Sequence, residues 1–133
     1  MRKVFISSLI LICVAISPAG SGCKKSSTSP PEEALRISTN AAALNETTGP
    51  DFEFNLTVES TMPNAGVRVS LVLKGEIDNQ NYSQGLGIIT STKTTKITVF
   101  GLPRQKYCVC TVGVTSLSKA TNIASTSFRL VYK

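Results

Sequence analysis

Phe52-Glu53-Phe54-Asn55-Leu56-Thr57-Val58-Glu59 alternates apolar and polar residues without a fault, and Val67-Arg68-Val69-Ser70-Leu71 opens a second such run that continues to Lys74. A period of two is the signature of a strand with one face buried and one in water. Between the runs, Ser60-Thr61-Met62-Pro63-Asn64-Ala65-Gly66 supplies the Pro, Asn and Gly that turns use for fixed or positive φ angles. Further expected strands are Leu35 to Thr39, Tyr82 to Thr90, Thr94 to Phe100, Tyr107 to Ser116 and Ala124 to Tyr132. Ala41-Ala42-Ala43-Leu44 has room for one helical turn at most. About seven short strands with turn signals between them, and no helical period, predict one all-β domain over residues 34–133, an antiparallel β-sandwich.

Leu102-Pro103-Arg104-Gln105-Lys106-Tyr107 resembles the fibronectin type III and immunoglobulin-like families, in which a Leu and a Pro precede a Tyr that opens the sixth strand. Leu102 stands one residue nearer the Tyr than the usual fibronectin pattern has it, and the chain has no Trp. The resemblance implies an immunoglobulin-like sandwich in which the first, second and fifth strands share a sheet and the third, sixth and seventh share the other. It also implies that the Tyr107 hydroxyl ties back to the backbone at the corner between the fifth and sixth strands. Counting along the sixth strand sets Tyr107, Val109, Thr111 and Gly113 on one face and Cys108, Cys110, Val112 and Val114 on the other. The second set is the more apolar and is assigned to the core, so that Tyr107 has to reach inward from the strand's end or across a bulge.

Met1 to Cys23 reads as an export signal: Arg2 and Lys3, an apolar run from Val4 to Ile16, then Pro18-Ala19-Gly20-Ser21-Gly22. The run is about 13 residues, short of the roughly 20 that span a bilayer as a helix. Gly20-Ser21-Gly22-Cys23 followed by a polar tract resembles the lipobox of bacterial lipoproteins, with Gly20 where a large aliphatic is usual. In that family the Cys becomes the acylated first residue, which implies a signal peptide over 1–22 and Cys23 as the lipidation site. The competing reading is ordinary cleavage within Ala19 to Gly22, leaving Cys23 a free thiol. Residues 23–33 then form the lipidated Cys and a tether, because Lys24 to Glu33 has no apolar residue apart from two prolines. The whole chain is similar to the small single-domain lipoproteins with immunoglobulin-like folds of Bacteroidota. That resemblance implies a lipid-anchored protein of the cell envelope and outer membrane, facing the periplasm or the outside, with the membrane as a partner through its N-terminal lipid.

The 14 Lys and Arg, less Arg2 and Lys3, stand against 8 Asp and Glu, so the mature chain carries 12 − 8 = +4. All eight acids lie between Glu32 and Asp78, and the stretch from Asn79 to Lys133 holds seven basic residues and no acid. Nucleic-acid binding wants a denser basic stripe interleaved with aromatics, so no nucleic-acid partner is expected. With no His, a Ser/His/Asp triad, a Cys/His pair and a His-ligated metal are excluded. Cys108 and Cys110 face the same way and are expected as buried thiols acting as small hydrophobes, ahead of a strained or intermolecular disulfide and of a metal site. Glu53 and Glu59 lie about 20 Å apart along a strand, beyond the reach of two catalytic carboxyls. Glu76 and Asp78 fall in a polar loop, Gly75 to Asn81, read as a solvated connection rather than a calcium site. No catalytic residue, metal or cofactor is expected.

The expected alternation leaves Glu53, Asn55, Thr57 and Glu59 outside on the first sheet, near Lys96. On the second it leaves Arg68, Ser70, Val72 and Lys74, then Val109 and Thr111, then Arg129, Val131 and Lys133. An apolar centre of Val72, Val109 and Val131 rimmed by basic side chains is the candidate partner-binding face, against the plainer reading of an ordinary sheet exterior. The function expected is a non-catalytic, lipid-anchored binding or structural module for another envelope macromolecule, a protein or a glycan. The alternatives are a carbohydrate-binding surface lipoprotein, with Tyr82 and Tyr132 as the aromatics, and an enzyme with no recognisable motif.

Overall fold

The computed structural model describes residues 30–133, so the expected signal segment 1–22, Cys23 and tether residues 24–29 lie outside the described residues. Nine strands and no helix occupy the described span: β1 (Ile37–Thr39), β2 (Leu44–Thr47), β3 (Phe52–Val58), β4 (Val67–Gly75), β5 (Asn81–Tyr82), β6 (Ile88–Thr90), β7 (Thr94–Val99), β8 (Tyr107–Ser116) and β9 (Ile123–Tyr132). They make two sheets in a sandwich-like arrangement, a three-stranded sheet β1-β3-β7 and a six-stranded sheet β2-β9-β8-β4-β5 with β6 also on β4. The all-β reading of the alternation therefore holds. The inward residues of the two long runs, Phe54, Leu56, Val58, Val67, Val69 and Leu73, are buried together with Ile97, Val99, Cys108, Cys110, Val112, Val114, Phe128 and Leu130. With no Trp in the chain, aromatic volume comes from Phe52, Phe54 and Phe128; the last two meet edge to face with centroids 5.0 Å apart.

Two expectations need correction. The segment Tyr82 to Thr90 is two short strands instead of one, because Gly85 at φ 75° turns the chain away from β4 before Ile88 rejoins it. Ala41 to Leu44 is not a helical turn: Leu44 opens β2, which runs parallel to β9, so the sandwich is not wholly antiparallel. Two Asn side chains account for this. Asn40 Oδ1 accepts the Asn55 N–H at 2.7 Å at the end of β1, and the Asn45 carboxamide closes a local ring with the Ala42 N–H and C=O at 2.9 and 2.8 Å. The chain thus leaves one sheet at Asn40 and joins the other at Leu44.

The tie that the corner motif implies for Tyr107 is not made. Strand β8 pairs with β4 and β9 without a bulge, so inward Cys108 forces Tyr107 outward, where Arg129 Cζ lies 5.1 Å from its ring centroid. The corner is held by backbone bonds instead: the Leu102 N–H to Pro50 O at 2.8 Å and the Gln105 N–H to Tyr132 O at 2.7 Å.

Glu32 and Glu33, grouped with the tether by composition, are bonded to the domain. Asn122 Nδ2 donates to Glu32 Oε1 at 2.6 Å and to Glu33 O at 2.9 Å, and the Thr61 N–H donates to Glu33 Oε2 at 2.8 Å. That N–H first, then the Thr61 hydroxyl and Arg36, pull the Glu33 carboxyl down to about 2. The chain enters at the end of the sandwich that carries the β3–β4, β6–β7 and β8–β9 connections. The β2–β3, β4–β5 and β7–β8 connections gather at the opposite end.

Candidate binding face on the six-stranded sheet

Strand β4 sets Arg68, Ser70, Val72 and Lys74 on the outer face, all exposed, with Val72 at 41%. Across the ladder, Val72 pairs with Thr111 and Lys74 with Val109, and both partners are half-buried. These apolar and β-branched side chains meet because β4 and β8 keep one register over nine residue pairs. Gly113 lies beside Ser70 on the same face, where a Cβ would come within 2.9 Å of Ser70 Oγ. Val72, Lys74, Glu76, Asn79, Val109 and Thr111 line a shallow depression of about 290 Å³.

Two of the expected face residues need a different description. Val131 points outward but is only 4% exposed. It is flanked by Glu46 of β2 and Tyr107 of β8, and the strand that covers its far side is the one absent from the expected set. The apolar centre is therefore Val72, Val109 and Thr111, without Val131. Arg129 is exposed but not a free cation: its Nη2 and Nε reach Glu76 Oε2 at 2.7 and 3.2 Å while its guanidinium covers Tyr107. Among the described residues Arg68 and Lys74 have no acidic partner, so they carry the unneutralised charge of this face.

Glu76 was missed as a face residue because its segment reads as a loop. The signal was present, since 76 continues the outward series 68, 70, 72, 74. The turn behind it is tight: the Gly75 N–H bonds Gln80 O at 2.9 Å and the Asn79 N–H bonds Gly75 O at 3.1 Å, with Asn79 at φ 52°. Asp78 turns away from Glu76 and pairs with Lys106 at 3.0 Å. The Gln80 N–H and then Lys106 hold the Asp78 carboxyl below its usual range, and Asp78 raises the Lys106 ammonium in return. The two carboxylates thus serve different bases, and no group of three or more metal-ligating side chains occurs among the described residues. A second depression of about 240 Å³, lined by Ile77, Asp78, Lys106 and Tyr107, lies on the other side of Glu76.

Cys108 and Cys110 are buried and unbonded to each other, and burial raises both thiols, Cys110 to about 12. Tyr82 and Tyr132 pack against the core. The outer face of the three-stranded sheet is polar, with Lys96 on Glu53 at 2.6 Å. A wider, open depression of about 660 Å³ lies where the β2–β3 connection meets the end of β7, lined by Glu46, Asp51, Glu53, Thr98 and Phe100 among others. The sequence did not point to it because its walls come from separate segments. Its carboxylates are engaged: Glu46 by Lys133, Glu53 by Lys96 and Asp51 by the Gly101 N–H.

In comparisons with known proteins, the chain matches no protein-family model and no curated protein.

Proposed function

We propose that this protein is a non-catalytic, lipid-anchored module of the cell envelope, built on an immunoglobulin-like sandwich, that binds another envelope macromolecule through the outer face of its six-stranded sheet. The immunoglobulin-like reading is supported by the strand order, β1-β3-β7 on β2-β9-β8-β4-β5, and by the first part of the chain contributing an edge to both sheets. The anchor rests on Cys23 and the lipobox-like residues before it. Attachment through acyl chains contributes about 0.8 kcal/mol per buried methylene, so several chains on one Cys hold the protein firmly.

The observation that carries the binding reading is the depression around Val72. Val72 at its centre is exposed, beside half-buried Val109 and Thr111, and is flanked by Lys74, while Arg68 stands further along the same strand. A partner with an apolar group for Val72 and Val109 and anionic groups for Arg68 and Lys74 fits this surface. The neighbouring Arg129 is held by both Glu76 and Tyr107, so this part of the rim is ordered before a partner arrives.

The test is a photocrosslinking residue at position 72 in intact cells, compared with one at Asn55 on the opposite sheet. A partner captured at 72 and not at 55 supports the reading; equal capture, or none at either, overturns it. The anchor is tested separately with Cys23→Ala, which should release the protein from the membrane fraction. Retention there would show that Cys23 is not the attachment point.

A further inference from the structure

We infer that one corner of the six-stranded sheet, built from Arg68, Ile89, Leu117, Lys119 and Ile123, rests on the bilayer that holds the protein's own lipid, given the acylation of Cys23 proposed above. Pairing across the ladders sets Ile89, Arg68, Thr115 and Ile123 in one row on the outer face, at the end where the chain enters the domain. Ile89 and Ile123 are each 60% exposed, and Leu117, next in the series 113, 115 along β8, is 38% exposed. The Arg68 stem lies along β6, with its Cγ 3.1 Å from where a Cβ on Gly87 would stand. Lys119 in the β8–β9 connection and Lys93 in the β6–β7 connection are exposed at the same end. Among the described residues none of these three cations has an acidic partner. Aliphatic side chains interleaved with free cations suit a bilayer surface, where the first enter the acyl boundary and the second meet headgroup phosphates.

The bilayer is singled out by where the anchor segment joins the domain. Asn122, the residue before Ile123, clamps that segment: its Nδ2 donates to Glu32 Oε1 at 2.6 Å and to Glu33 O at 2.9 Å, and its Oδ1 accepts the Leu35 N–H at 2.9 Å. The path from Cys23 therefore ends beside Ile123. Only residues 24–31 lie between Cys23 and the clamp, and eight residues span at most about 29 Å. A surface tied that close to the acyl chains meets the bilayer at high effective concentration, so contacts too weak to bind on their own are enough.

The placement of the acids fits the same contact. Three lie at this end, Glu32, Glu33 and Glu59. Glu32 is held by Asn122, Glu33 by Arg36 and the Thr61 N–H, and Glu59 bonds Ser38 on the outer face of the other sheet. None stands in the row from Ile89 to Ile123 or in the connection that carries Lys119. Val72 lies four residues beyond Arg68 on β4, about 14 Å along the strand, so the depression around it stays clear of the headgroups. Arg68 stands at the border of the two surfaces, and Lys74 belongs to the partner face alone.

The test uses the full chain, produced with its lipid and reconstituted into vesicles of phosphatidylethanolamine and phosphatidylglycerol. A bimane label is attached to Ile123→Cys and, in a second protein, to Ile77→Cys, which is 93% exposed and lies beyond the far end of β4. Cys108 and Cys110 are buried and stay unlabelled. Lipids carrying a nitroxide should quench the label at 123 about threefold more than the label at 77, and Lys93→Glu combined with Lys119→Glu should lower the quenching at 123 by about half, with unchanged far-ultraviolet circular dichroism spectra. Quenching at 123 no greater than at 77, or unaffected by the two charge reversals, overturns the inference. Flotation of the same vesicles separates this outcome from failure of the anchor: protein that floats without the extra quenching keeps the lipid on Cys23 and loses the corner contact, whereas protein that does not float loses both.

Discussion

Cys110→Ser tests both the register of β8 and the state of the two thiols. Cys110 is fully buried, paired across the ladder with Leu73 on one side and Phe128 on the other. A serine hydroxyl there has apolar neighbours, and an unpaired buried hydroxyl costs about 1–3 kcal/mol. Taking about 2 kcal/mol and a urea slope of about 1 kcal/mol per molar for a domain of this size, the unfolding midpoint should fall by about 2 M. Val109→Ser is the comparator: it is the next residue on the strand, half-buried on the outer face, and should shift the midpoint by about 0.5 M or less. The assay is urea unfolding followed by far-ultraviolet circular dichroism. A midpoint that moves more for Val109→Ser than for Cys110→Ser would refute the register. The thiol itself gives a second readout: with Cys110 raised to about 12, about 1 in 10,000 molecules carries the thiolate at pH 8. Iodoacetamide should therefore label it only as fast as the sandwich opens, and rapid labelling at Cys110 itself, located by peptide mapping of the folded protein, would refute the buried-thiol account. The sign of the linkage follows. A thiol raised above its ordinary 9.0 contributes stability below pH 9 that is lost as pH rises toward 12, because the unfolded chain releases its proton first.

Val131→Ser should destabilise the protein by about 2 kcal/mol in the same urea titration, since an outward residue only 4% exposed loses packing as a core residue does; a shift as small as that of Val109→Ser would mean the face is open there. The Glu33 carboxyl, held at about 2, stabilises the docked N-terminal segment above its ordinary value of 4.5 and loses that effect as pH falls toward 2. The Thr61 amide proton, followed by NMR, should titrate with a midpoint near 2, and a midpoint near 4.5 would show Glu33 undocked. Gly87→Ala places a Cβ 2.7 Å from Val69 O and should lift β6 from β4, so that the Ile88 and Thr90 amides, which face β4, exchange with solvent about tenfold faster. Unchanged exchange there would refute the close approach.

What was legible in the sequence is what a period of two can carry. Phe54, Leu56 and Val58, and then Val67, Val69 and Leu73, are buried where alternation puts them, and the apolar argument for Cys108, Cys110, Val112 and Val114 chose the correct face of β8. Alternation needs several residues to show itself, and the elements that escaped are too short for it. β2 has four residues, β6 three and β5 two. The first depends on two Asn side chains that take the chain from one sheet to the other, and the pair on β4 is divided by a glycine with positive φ. The Tyr107 tie failed for a related reason. A motif fixes the spacing of residues, whereas the unbroken β8 register fixes which way each one points.

The candidate face was half legible, and the part that was not is the charge. Alternation found Arg68, Val72, Lys74, Val109 and Thr111, but a count of basic side chains cannot say which of them are already neutralised. Each of the eight carboxylates in the chain has a partner: Glu33, Glu46, Glu53, Glu76 and Asp78 bind a base, while Glu32, Asp51 and Glu59 accept from Asn122, the Gly101 N–H and Ser38. These pairs are exposed and individually worth little to stability, so their consequence lies in what they remove from the surface field. Glu76 takes Arg129 out of the basic rim and Glu46 takes Lys133. Arg68 and Lys74, six residues apart on one strand with Val72 between them, keep their charge. A basic rim around three valines thus becomes two cations on β4 beside a depression, and this narrower surface asks for a partner whose anionic groups are spaced along a strand rather than spread around a ring.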